Sequence, residues 1–327
     1  QLLQKDPEQK QHYLDGIEQE YIDLAEKRKG RKKKKLISEA EANENKLRTD
    51  WRNYTPPQPQ MLGRKVWTSY PVSELRPYID WTPFFRTWEL AGRYPQILAD
   101  EVVGTEATKL FEDAQAMLDR IEQEGWLTPK GVMGLFPAQR EGDNSIHVFD
   151  PDSGELLHRC DHLRQRSKKA KGRPNYCLAD FIAPASSEKR DYMGAFAVTA
   201  GHGIEGPLER FKADQDDYNG ILLQSLADRL AEAFAERLHQ RVRTEFWGYA
   251  PDEHLDNAAL IKEKYRGIRP APGYPACPVH EEKIKLFDLL DVPNQIGIRL
   301  TENYAMYPAA SVSGWYFSHP ESRYFKV

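Results

Sequence analysis

The segment Tyr192-Met193-Gly194-Ala195-Phe196-Ala197-Val198-Thr199 is apolar almost throughout. Too short for a typical buried helix and carrying β-formers, it reads as a strand buried on both faces. Further strand-like runs lie at 132–137 and 145–149, joined by the turn-rich Glu141-Gly142-Asp143-Asn144, and at 296–301 and 311–317. These strands come in clusters and do not alternate strictly with helices. The pattern therefore predicts an α+β fold with a largely antiparallel sheet, not a doubly wound one.

Helical spacing is clearest at 105–124, where Leu110, Ala114, Met117, Leu118 and Ile121 share a face and Gly125 supplies a stop. A longer helix is expected over 217–246, with Leu222, Leu226, Leu230, Ala233, Phe234, Leu238 and Val242 facing the core. Ser73 is placed to cap a short helix through Ile79.

Charge divides the chain. Residues 1–26 carry seven acids, and Leu14, Ile17, Tyr21 and Leu24 predict a helix over 8–29 that belongs against another body. Eight of the nine residues 27–35 are basic. That run reads as a solvated hinge in preference to a nucleic-acid patch, because no aromatic side chain is interleaved with it. Residues 36–50 are polar, and 55–60 are too rich in proline for a helix or central strand. From Trp51 onward aromatics and aliphatics are regularly distributed, which predicts one large domain over 51–327, after a helix (1–29) and a basic, polar linker (30–50). The start at Gln1, without Met, reads as a piece of something longer.

With a net charge of −4 the chain as a whole is not built for nucleic acid, and no apolar run approaches the roughly 18 residues that span a bilayer. Three scattered cysteines make no disulfide framework, so a cytoplasmic setting is expected. Glycine-rich phosphate loops, H-E-x-x-H and G-x-S-x-G are absent. Cys277 and His280 have the spacing of half a zinc site without a second pair, so no metal ligands are assigned.

Three stretches stand out. In Arg269-Pro270-Ala271-Pro272-Gly273-Tyr274-Pro275-Ala276-Cys277-Pro278 four prolines fix an extended backbone with carbonyls to offer; Arg269 could clamp a carboxylate and Tyr274 adds an aromatic face. A rigid loop wrapping the core is the equal alternative. In Tyr78-Ile79-Asp80-Trp81-Thr82-Pro83-Phe84-Phe85-Arg86-Thr87-Trp88 five aromatics crowd Asp80, which either caps a turn or meets a cation between aromatic walls. The third, 316–325, sets two aromatic pairs around a turn. An acid, an arginine and aromatic surfaces together suit a zwitterionic amino-acid group attached to a flat base.

These stretches, with Asn175-Tyr176-Cys177-Leu178-Ala179-Asp180-Phe181, Arg229-Leu230-Ala231-Glu232-Ala233 and Ser311-Val312-Ser313-Gly314-Trp315-Tyr316-Phe317-Ser318-His319-Pro320, resemble the C-terminal activation domain of cobalamin-dependent methionine synthases. The resemblance runs from about Trp51 to Val327, and residues 1–29 resemble the last helix of the preceding cobalamin domain. It implies a single α+β domain with a curved, largely antiparallel sheet. It implies binding of S-adenosylmethionine, which remethylates cobalamin oxidised to cobalt(II) while flavodoxin or a flavoprotein reductase donates an electron. The parent enzyme moves a methyl group from methyltetrahydrofolate to homocysteine.

By the resemblance, Asp80 meets the ligand's amino group and Arg269 its carboxylate. Ala271 and Tyr274 face the ligand, Glu232 lies near it, and Tyr324 and Phe325 line the site. Asp80 and Arg269 are expected to share one pocket and to serve the ligand and not the fold. No Asp-x-His-x-x-Gly cobalamin motif is present, so cobalamin belongs to the adjacent domain and zinc only to the homocysteine module. No catalytic acid or base is expected, because a sulfonium methyl is already activated and the protein's part is positioning. The alternative is a docking module for a flavodoxin-type donor in which ligand binding is secondary.

Overall fold

The computed structural model describes residues 35–327; the helix expected over 8–29 and all but the last residue of the basic run lie outside them. In chain order the helices are α1 (Glu39–Glu44), α2 (Val72–Leu75), α3 (Trp81–Thr87), α4 (Gly104–Glu124), α5 (Glu205–Ala213), α6 (Asp217–Arg241), α7 (Asn257–Ile261), α8 (Glu282–Leu290) and α9 (Val292–Ile296). The strands are β1 (Gly63–Trp67), β2 (Lys130–Glu141), β3 (Ser145–Phe149), β4 (Leu156–Asp161), β5 (Asp191–Thr199), β6 (Arg299–Leu300), β7 (Met306–Tyr307) and β8 (Ser311–Tyr316). The fold is α+β.

Six strands form one sheet in the order β4-β3-β2-β5-β8, with β1 also on β2, and every ladder is antiparallel. β1 pairs with Gly131–Leu135 of β2 and β3 with Ala138–Glu141, so the two short strands lie end to end along one edge of the long one. Pro137, which cannot donate an N–H, falls in the gap between them. That placement lets β2 run past the proline where the sequence reading ended it.

All nine residues of β5 are buried. Tyr192, Phe196 and Val198 join a core shared with α4 and α6; Met193, Ala195 and Ala197 join a second core with α8, α9 and the 178–182 segment. The sheet is thus a middle layer, as alternation of side chains across a strand requires. α4 ends where Gly125 adopts the left-handed conformation at φ 64°, and α6 begins where the Asp216 side chain accepts from the backbone N–H of Asn219. Beyond α6 the helical path continues as a π turn, Val242–Phe246, to the end expected from the sequence.

Two expectations need correction. Ser73 caps nothing: α2 starts after Pro71 without a side-chain cap, and a 3-10 turn, Arg76–Tyr78, follows because Pro77 has no N–H for the α pattern. The strand expected at 296–301 shrinks to Arg299–Leu300, because Pro293 opens α9 and Asn294 and Gln295 bond the Asp291 carboxylate. Residues 35–50 hold α1, closed by a reciprocal Ser38–Glu41 capping box, and attach to the domain through backbone bonds from Ile37 to Arg166 and from Lys168 to Lys35.

A buried ion pair braces the far side of the sheet. Arg164 grips Asp180 through two bonds of 2.6 and 2.7 Å, with both side chains 1 % exposed or less. Asn175 donates to the carbonyls of Gln165 and Ser167. The 175–181 stretch is therefore structural.

Candidate ligand site

The proline-rich segment begins as an added edge on the sheet. Ile268 and Phe317 exchange backbone hydrogen bonds of 3.1 Å, and Trp315 N–H donates to the Pro270 carbonyl at 2.9 Å. Gly314 permits that approach, because a Cβ there would stand 2.9 Å from the Pro270 oxygen. The chain then turns tightly: Gly273 N–H donates to Cys277 O at 2.7 Å. The carbonyls of Pro270, Ala271, Tyr274, Pro275 and Cys277 all accept backbone N–H groups, so half of those expected to await a ligand already have partners.

Two neighbouring clefts flank this segment. One, of about 370 Å³, is lined by Arg269, Ala271, Tyr274, Tyr324, Phe325, Glu232 and Ser313 among others. The other, of about 280 Å³, is lined by Asp80, Arg229, Glu232, Glu236, Glu263 and Arg269 with Tyr78, Pro83 and apolar residues. Glu232, Glu263 and Arg269 belong to both. All seven residues singled out from the sequence therefore stand around one joined site, and Asp80 and Arg269 share a cleft.

Their surroundings realise one of the alternatives left open for Asp80 and differ from expectation in two further ways. Asp80 is the N-cap of α3, accepting from Thr82 N–H at 3.0 Å. The aromatics beside it are mostly core: Trp81 and Phe85 are buried against Tyr94 and Phe111, and Phe84 is buried against Trp81 and Phe85. Only Tyr78 of that group faces the cleft, so the aromatic walls offered for a cation are not there. Arg269 is already partnered. Its Nη1 contacts Glu236 Oε2 at 2.9 Å, Tyr265 Oη at 2.8 Å and His239 Nδ1 at 3.3 Å. Burial is the largest influence and works against the Arg269 charge, but the Glu236 carboxylate together with Tyr265, Tyr324 and Tyr316 raises the guanidinium's pKa overall. The Glu263 carboxyl is raised chiefly by burial, with Arg269 opposing.

Glu236, His239 and Glu263 were missed in the sequence. For the first two the signal was present: Arg229, Glu232, Glu236, His239 and Arg243 recur at intervals of three and four, a polar stripe beside the apolar one along α6 and the π turn after it; Glu263, beyond α7, carried no such signal. The third stretch divides: Tyr316 and Phe317 are core, while Tyr324 and Phe325 line the larger cleft.

Cys277 is buried, which pushes its thiol up to about 12, and the His280 ring packs over Gly273. Among the described residues no group of three or more His, Cys, Asp or Glu side chains is arranged to hold a metal ion. Nor, among them, is any helix long and apolar enough to cross a membrane.

Comparison with known proteins decides the family. Residues 71–327 match the family model for the vitamin B12 dependent methionine synthase activation domain. The chain belongs to that family. A solved structure described as the MetH reactivation domain bound to AdoHcy is 53% identical to this activation domain, with a TM-score of 0.86 and 89% of each chain covered. This activation domain shares with it the α+β architecture that carries the joined clefts.

Proposed function

We propose that the joined clefts bind S-adenosylmethionine and present its methyl group for reductive methylation of cobalamin carried by the neighbouring domain. The observation that carries this reading is the convergence of Asp80 and Arg269 on one cleft beside the larger, partly apolar one. An ammonium and a carboxylate on one carbon require an acid and a guanidinium within a few ångströms of each other. The similar protein of known structure is bound to AdoHcy, which supports the same ligand class here.

Charge supports the choice. The smaller cleft sets four carboxylates (Asp80, Glu232, Glu236, Glu263) against two guanidiniums (Arg229, Arg269). That excess of acid favours a ligand with one carboxylate and two cationic centres, an ammonium and a sulfonium. Tyr274, Tyr324, Phe325 and the Ala271 segment offer the adenosine half an aromatic and apolar enclosure. The transfer needs no protein acid or base. One electron from a flavodoxin or flavoprotein reductase reduces cobalt(II) to cobalt(I); cobalt(I) then forms a bond to the methyl carbon as the sulfur–carbon bond breaks, and S-adenosylhomocysteine leaves. The chain's part is to hold the ligand in line. In this reading residues 1–29 belong to the preceding cobalamin module and 30–50 to the join.

Calorimetric titration tests the reading. S-adenosylmethionine is expected to bind the chain with one site per molecule; absence of binding up to millimolar ligand would overturn it.

A further inference from the structure

Resting on that reading, we propose that Glu236 is a positioning residue: it fixes the Arg269 guanidinium so that its remaining edge meets the ligand's carboxylate. Glu236 is 7 % exposed and sits on α6, one turn beyond Glu232. Its Oε2 takes the Arg269 Nη1 at 2.9 Å; its Oε1 has no hydrogen-bond partner and lies 4.0 Å from Nη1 of Arg243, itself without one. Arg243 is anchored elsewhere by two-pronged contact with Glu253, at 2.7 and 2.8 Å. The carboxylate is thus held between two guanidiniums, one fixed and one at the cleft.

Every polar side-chain contact described for Arg269 falls on Nη1: Glu236, Tyr265 and His239. His239 can accept there because burial first, then the Arg243 and Arg269 charges, hold its imidazole well below its usual pKa and therefore neutral. Its ring is clamped by stacking on Tyr316, with centroids 5.1 Å apart at 15°. The two N–H groups of Nη1 are engaged by Tyr265 and His239 and the Glu236 carboxylate pairs with the same nitrogen, which orients the planar fork and leaves Nη2 and Nε as the pair of donors for a carboxylate in the cleft. A free arginine would lose side-chain freedom on binding; one already fixed loses less, and affinity rises accordingly.

The test separates alignment of Arg269 from general structural support. Affinities of S-adenosylhomocysteine and of its carboxamide analogue are measured calorimetrically for the wild type and for Glu236→Gln. The wild-type preference for the carboxylate ligand measures what the Arg269 contact is worth. Glu236→Gln is expected to cut that preference roughly tenfold, S-adenosylhomocysteine weakening about ten times more than the carboxamide analogue. A preference that stays intact overturns the proposal, as does parallel weakening of both ligands. If Glu236→Gln fails to fold, Glu236→Asp, which keeps charge but withdraws the carboxylate from Nη1, is put through the same cycle with the same criteria. Failure of the wild type to bind either ligand would instead remove the proposed function on which this inference rests.

Discussion

The hydroxyl of Tyr324 accepts a 3.0 Å hydrogen bond from the backbone N–H of Arg269, tying the C-terminal segment to the start of the proline-rich turn. Both residues line the larger cleft. Tyr324→Phe keeps the ring and removes the acceptor. A hydrogen bond of this kind is worth about 0.5–1.5 kcal/mol, so ligand affinity should fall roughly two- to tenfold. Amide exchange at Arg269 should quicken in the variant. Unchanged exchange together with unchanged affinity would remove this tie from the site.

Asp80 separates capping from charge. Asp80→Asn retains a side-chain oxygen for Thr82 N–H, so the thermal midpoint should barely move while S-adenosylmethionine binding weakens by roughly ten- to a hundredfold. Asp80→Ala also loses the cap and should cost about 1 kcal/mol of stability. Equal affinity in wild type and Asp80→Asn would show that the carboxylate has no ligand to meet.

Asp180 should matter to folding alone. It is buried beneath Arg164, takes the N–H of Cys177 at 3.0 Å and lies 3.6 Å from Arg140. Asp180→Ala strands a buried guanidinium, for which about 3–5 kcal/mol of destabilisation is expected. The midpoint should fall by roughly 10 °C, measured by calorimetry. A shift of a degree or less would mean the pair contributes little.

Stability should rise with pH between about 4 and 6.5. Burial, helped by Lys285, holds the His162 imidazole down to about 4, and burial with Arg266 does the same for His319. Neither ring nitrogen of His162 has a hydrogen-bond partner. Below about 6.5 the unfolded chain takes up protons that these folded histidines refuse, so stability drains away as pH falls toward 4. Asp191 acts in the opposite sense, since burial pushes its carboxyl up to about 7, and the raised Glu263 carboxyl joins it, while the buried His239 adds to the side of the other two histidines. Urea midpoints at pH 4.5 and 6.5 should therefore differ, and differ less in His162→Leu. If the substitution leaves the gap untouched, His162 is not among its causes.

What could be read from the sequence was whatever a single element's spacing encodes. β5 showed its two-sided burial as an unbroken apolar run, and α4 showed its face and its glycine stop. The roster of residues came from the resemblance, and the structure brings them to two neighbouring clefts. Their pairings were not legible, because Glu236 meets Arg269 only through the packing of α6 against a segment thirty residues later. Local signals misled where proline intervened: Pro77 converts the end of a helix, Pro137 sits harmlessly in an edge gap, and Pro293 starts a helix inside an expected strand. Nor did the expectation that Asp80 and Arg269 serve only the ligand survive, since one caps a helix and the other neutralises a buried acid.

α6 presents its apolar stripe to the core and its charged stripe to the clefts on a single rigid rod. Each residue advances such a rod by about 100°. One inserted residue ahead of Arg229 would therefore swing charges into hydrocarbon and leucines into water at the same stroke. Packing and recognition therefore hang on one helical register, and a change that shifts that register disturbs both at once.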